Sequence, residues 1–147
     1  MRGCSFFGHR ENIKLDCKRV CDVIVKLIHE QNISRFYVGN QGEFDKTVYH
    51  AFCALAPRYP NISFAVVPAF SSDLRYKICN SVHLLLPQGI ENINSRDAIP
   101  YRNRWMIERS VFIVSYITHT NSNAARFAGE AAKQGCTVIN LATAYPT

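Results

Sequence analysis

The stretch Arg35–Val67, "RFYVGNQGEFDKTVYHAFCALAPRYPNISFAVV", decides the fold. Arg35–Val38 reads as a strand and breaks at Gly39 and Gly42, two glycines three apart. Phe44 to Leu55 then follows a helical pattern that ends near Pro57. Ile62–Val67, "ISFAVV", carries no charge, as expected of a strand buried on both faces, the pattern of a parallel sheet covered by helices.

The same alternation extends in both directions. Upstream, Gly3 to Phe7 reads as a strand ended by Gly8-His9-Arg10. From Glu11 to Gln31, Ile13, Cys17, Val20, Ile24, Leu27 and Ile28 recur at spacings of three and four, predicting a long amphipathic helix. Downstream, Pro68 to Ile99 is irregular and reads as an insertion with a short helix and an extended piece at Val82–Leu86. Regular order resumes with a helix from Tyr101 to Arg109, a strand "VFIVSYI" from Val111 to Ile117, a helix from Asn123 to Gln134 and a strand "TVINL" from Thr137 to Leu141. The expected fold is α/β, a Rossmann-like three-layer α/β/α arrangement with a mainly parallel sheet of about five strands in the order 3-2-1-4-5. In such a sheet ligands sit beyond the carboxyl ends of the strands where the winding reverses. That rule selects the loops Gly8-His9-Arg10, Gly39 to Asp45 and Thr118 to Asn123.

Composition sets the class. The 147 residues fit a single domain over 1–147, large enough for a core without disulfide or metal. Hydrophobic content of 48% with 19% charged residues is that of a globular chain. No apolar run approaches the ~20 residues of a membrane span, and "MRGCSFFGHR" is too short for a signal-peptide core, so a cytoplasmic location is expected. The six cysteines form no C-x-x-C pair and no metal-type spacing with histidine, so free thiols and no metal are expected. The net charge of +6 is spread along the chain, which favours a site for a small anion and makes nucleic acid the least favoured partner.

Four segments carry candidate chemistry. In Gly8-His9-Arg10 an imidazole and a guanidinium project from the end of a central strand, and the guanidinium fork suits phosphate or carboxylate oxygens. In Gly39-Asn40-Gln41-Gly42 the glycines allow close approach of a ligand. Glu43 and Asp45 then either complement the helix dipole or, for Asp45, accept hydrogen bonds from sugar hydroxyls. The turn is neither the dinucleotide fingerprint nor a P-loop, and no cofactor is expected. Arg102 and Asn103 lie in what reads as the first turn of a helix, where side-chain and backbone donors converge on an anion, and Arg104 follows as a further candidate. His119, Asn121, Ser122 and Asn123 offer an imidazole, amides and a hydroxyl, with Ser122 or Asn123 also suited to cap a helix.

The segments "SFFGHR" (Ser5–Arg10), "VGNQGEFD" (Val38–Asp45), "AIPYRNRWMIERSVFIVSYI" (Ala98–Ile117) and "GCTVINL" (Gly135–Leu141) together resemble a small bacterial and phage branch of the SLOG superfamily. That superfamily is named for the Smf/DprA DNA-processing proteins and the LOG enzymes. The resemblance implies a Rossmann-like fold with a site for nucleotides or nucleotide-derived signals, and pairing into a homodimer. LOG enzymes cleave the N-glycosidic bond of nucleoside monophosphates with an arginine in an R-K-x-x-M helix start and a glutamate in a G-G-x-G-T-x-E-E loop. Arg102 and Met106 match the first motif, with Asn103 in place of the lysine. "THTNSNAARF" (Thr118–Phe127) does not match the second, and Asn121-Ser122-Asn123 replaces the glycine pair usual in the branch. The leading expectation is therefore a domain that binds a nucleotide-derived small molecule through Arg10, Arg102 and Arg104, with Asp45 on ribose. The alternative is a nucleotide N-glycosidase or deoxyribosyltransferase in which Glu43 or Asp45 is the catalytic carboxylate and Arg102 places the phosphate.

Overall fold

The computed structural model describes residues 2–75 and 78–143. Among them six strands form one sheet: β1 (Arg2–Gly8), β2 (Ile33–Val38), β3 (Ser63–Val66), β4 (His83–Leu84), β5 (Phe112–Tyr116) and β6 (Thr137–Asn140). Their order is β4-β3-β2-β1-β5-β6, and every pairing is parallel. The expected order of five strands is present within it. The addition is the two-residue edge strand β4, which sequence reading left as an extended piece inside an insertion.

Four α-helices among the described residues cover the sheet: α1 (Cys17–Gln31), α2 (Glu43–Leu55), α3 (Ser95–Glu108) and α4 (Asn123–Lys133). Alternate residues of the strands feed two separate cores. Phe6, Phe36, Val38, Phe64 and Val66 pack with Val20, Ile24, Phe44 and Phe52 of α1 and α2. Phe7, Tyr37, Ala65 and Val67 pack with Met106, Ile107 and Phe127 of α3 and α4. β3 contributes to both, as a strand buried on its two faces must.

Two helix starts differ from the sequence reading, for different reasons. α1 begins at Cys17, not Glu11, because Asp16 caps it by accepting a hydrogen bond from the Arg19 N–H at 2.9 Å. Glu11 to Asp16 is consequently a loop, with Asn12 in a left-handed conformation at φ 60°. α3 begins at Ser95, six residues before the expected Tyr101, and holds Pro100 inside it. A proline next to a helix reads as its first residue, yet here the turn before it is already helical. Arg102 and Asn103 thus lie past the first turn and not within it as expected.

The expectation that all six cysteines are free thiols is corrected as well. Cys53 of α2 is disulfide-bonded to Cys79, while Cys4, Cys17, Cys21 and Cys136 are free. A spacing of 26 residues gives no sequence signal for such a pair. The bond fastens the segment before β4 to α2, and the Tyr49 hydroxyl accepts the Cys79 N–H at 3.0 Å beside it. Among the described residues no helix is long and apolar enough to cross a membrane.

Candidate functional site

A cleft of about 420 Å³ opens at the carboxyl ends of β1, β2 and β5. Gly8, His9 and Arg10 line it from β1, Gly39, Gln41 and Asp45 from the β2–α2 turn, Arg102 and Asn103 from α3, and His119, Ser122 and Asn123 from the β5–α4 connection. The volume falls within the range of small-molecule sites. The place is the one the reversal of winding selects, with β1 between β2 and β5.

Arg102 forms the floor. It is only 3% exposed, an unusual state for a guanidinium. Its Nε donates to Asn103 Oδ1 at 2.8 Å and its Nη1 to the Val67 carbonyl at 2.7 Å. Among the described residues no buried side-chain nitrogen or oxygen lacks a partner, so Nη2, which has none, keeps some access to solvent, and Arg102 lines the cleft. Burial disfavours its charge, and Asp45 and Asp73 act in the opposite sense.

Asp45 is also buried, at 8% exposure. It occupies the third position of α2, and its Oδ2 accepts the Gln41 N–H at 2.8 Å, tying the turn to the helix start. Burial raises its carboxyl to about 6, against the opposing charge of Arg102 and the Gln41 N–H. Arg102 and Asp45 meet across Gly39. A Cβ there would lie 2.6 Å from Arg102 Nη1 and 2.9 Å from Asp45 Oδ2.

The glycines therefore serve the protein before any ligand. Gly39 leaves room for the ends of the Arg102 and Asp45 side chains. Gly42 has φ 98° and sits where a Cβ would meet the Arg10 backbone at 2.6 Å. The Glu43 N–H donates to the Arg10 carbonyl at 2.8 Å, which locks the turn against the β1 loop. Gly8 leaves space for the Phe44 ring. Asn40 is drawn away from the cleft, donating to Asp73 Oδ2 at 3.1 Å.

His9 is buried, and its Nε2 accepts the Thr118 N–H at 2.8 Å, which puts the proton of the neutral ring on Nδ1. Burial, then the nearby His119, lowers its pKa. His119 stacks on it in parallel, with centroids 4.2 Å apart and planes 8° from each other. Ser122 caps α4, its hydroxyl accepting the Ala125 N–H at 3.1 Å, so the capping use applies there.

Five expected site residues do not line the cleft, Asn40 and Gly42 of the glycine turn and three more. Arg104 points to the far side of α3, where Nε and Nη2 donate to Glu130 at 3.1 and 3.2 Å. Glu108 lies four residues further along the same helix, at the spacing of a helical ion pair, but the acid that Arg104 meets comes from α4. Glu43 is exposed at the start of α2 and does not line the main cleft. Asn121 is exposed and does not line it either. Sequence reading assigned no site role to Glu11, Asn12, Gln41 or Ile99, and all four line the cleft. The overlooked signal for the first two was Asp16 as a cap three residues before Arg19, which frees Glu11–Lys14 from the helix. Among the described residues no three His, Cys, Asp or Glu side chains gather as metal ligands.

No protein-family model and no curated protein sequence matches this chain. In structure it is similar to DNA processing protein A (DprA) from Streptococcus pneumoniae, with a TM-score of 0.65 over 93% of this chain at 17% identity. The likeness establishes the Rossmann-like fold. This chain spans about half of that protein, 49% of its length.

Proposed function

We propose that the cleft binds a nucleotide or a nucleotide-derived anion, for sensing or sequestration. The observation that carries this reading is Arg102, a buried guanidinium fixed by Val67 and Asn103 in the lining of the cleft. A cation held in place before binding loses little freedom when an anion arrives, and its fork matches phosphate oxygens. Arg10, exposed at the cleft mouth, adds a second positive group. Asp45 offers a carboxylate beside them for sugar hydroxyls. The SLOG-like motifs and the fold shared with DprA support the same assignment, since the cleft lies where Rossmann-like sheets take ligands. Calorimetry against a panel of adenine, guanine and cytosine nucleotides and ADP-ribose tests it. Saturable binding to at least one, weakened tenfold or more by Arg102→Ala, is expected, and a flat response to the whole panel would refute it.

A second reading rests on Asp45. A buried carboxyl raised to about 6 beside an arginine can hold a proton near neutral pH and deliver it to a departing base, as N-glycosidic cleavage requires. Chromatography of nucleotides incubated with the protein would then show free base, and Asp45→Asn would abolish its release. Unaltered nucleotide after long incubation removes this reading and leaves binding. DprA's name raises DNA as a further partner. A gel-shift series with single-stranded oligonucleotide at rising salt separates it, since contacts to many phosphates weaken steeply with salt.

A further inference from the structure

We propose that the ligand of this cleft carries a planar heteroaromatic base, held by stacking on His119, so that a bare sugar phosphate is a poor substitute. The proposal deepens the nucleotide reading and rests on it.

His9 and His119 form a pair of rings 4.2 Å apart and 8° from parallel, and both line the cleft. His9, which carries the inner ring, is fixed by three contacts. Its Nε2 accepts the Thr118 N–H at 2.8 Å, its backbone N–H donates to the Tyr116 carbonyl at 3.2 Å, and the Tyr116 ring meets it edge-on at 6.4 Å and 85°. The outer ring, His119, is exposed and makes no hydrogen bond or ion pair among the described residues. Its orientation is set by the ring beneath it. One face of His119 is covered by His9, and the residue is exposed and lines the cleft, so its second face is available to a ligand there.

An exposed imidazole with no polar partner ordinarily samples several rotamers. Here stacking holds it flat on a buried neighbour, so the plane is preformed. Such a surface takes any nucleobase, because every base presents a π-face, and alanine substitution at stacking positions weakens binding about 5- to 150-fold. With one face offered to a partly open cleft, the lower part of that range applies. Arg102 and Arg10 are left for the phosphate, and stacking uses neither of them.

The test is calorimetry with AMP, GMP, CMP and ribose 5-phosphate on the parent, His119→Ala, His119→Phe and Arg102→Ala proteins. The three nucleotides should bind at least about fivefold more tightly than ribose 5-phosphate. His119→Ala should bring them down to the ribose 5-phosphate level without changing ribose 5-phosphate itself, and His119→Phe should keep the difference. Arg102→Ala should weaken all four. If ribose 5-phosphate binds as well as the nucleotides, or His119→Ala leaves nucleotide affinity intact, stacking is overturned while the phosphate site stands. If none of the four binds, the stacking proposal is overturned, and the nucleotide reading stands or falls with the wider panel that includes ADP-ribose. A thermal melt of each variant identifies any loss that comes from unfolding.

Discussion

Replacing Asp45 by asparagine should remove a pH dependence of stability whose size measures how strongly the cleft disfavours charge. Asp45 is almost fully buried, and burial lifts its carboxyl from 3.8 to about 6 even with Arg102 and the Gln41 N–H pulling the other way. A carboxyl raised in this way keeps its proton in the folded chain over a pH range where the unfolded chain has released it. Stability from this group is therefore greatest below about pH 4, is lost as pH rises to about 6, and stays lower above that. At about 1.4 kcal/mol per unit, the interval corresponds to about 3 kcal/mol. The amide of the variant would not titrate, yet its carbonyl can still accept the Gln41 N–H. The unfolding free energy of Asp45→Asn minus that of the parent should thus grow by about 3 kcal/mol between about pH 4 and pH 7, then level off. His9, lowered by burial, tilts each curve in the opposite sense, but it is present in both proteins and cancels in the difference. Urea titrations followed by the fluorescence of Trp105, at half-unit steps of pH, supply the curves. A difference that is flat with pH would refute the claim that burial outweighs the arginine. A difference that shrinks as pH rises would show that Arg102 holds the carboxylate charged.

Gly39→Ala places a methyl group 2.6 Å from Arg102 Nη1, so it should displace the pinned fork, destabilise by about 1–3 kcal/mol and weaken ligand binding at least tenfold. Chemical denaturation and calorimetry on one preparation check both effects. Cys53→Ser opens the bond to Cys79 and should lower stability by about 2–4 kcal/mol, with six reactive thiols in the reduced, denatured parent and four without reductant. Arg104→Ala removes an exposed contact with Glu130 outside the cleft, so nucleotide affinity should be unchanged and stability should drop by less than about 1 kcal/mol. A loss of affinity there would return Arg104 to the site.

The layered sheet was legible because its signals are local. Ile62–Val67 is uncharged along its length, and the helices between strands carry spacings of three and four that need no knowledge of neighbours. The loops that form the cleft followed from the order of strands, and His9, Arg10, Arg102, Asn103, His119, Ser122 and Asn123 do meet there. What local pattern could not supply was the partner of each group. Arg104 has an acid four residues along its own helix, yet it pairs with Glu130, 26 residues away on α4. Cys53 and Cys79 are likewise distant in sequence.

The glycine turn shows why this difference matters for function. Read as sequence, Gly39 and Gly42 admit a phosphate, and the acids beyond them look misplaced. In the fold both glycines are filled from the protein side, by Arg102 and Asp45 at one and by the Arg10 backbone at the other. The turn is a device for bringing an arginine from α3 and an acid from α2 to the end of β2. A site built in this way depends on packing across three elements. Adding a single carbon at Gly39, where Arg102 and Asp45 leave no room for it, should damage it more than removing a charge such as Arg104 outside it.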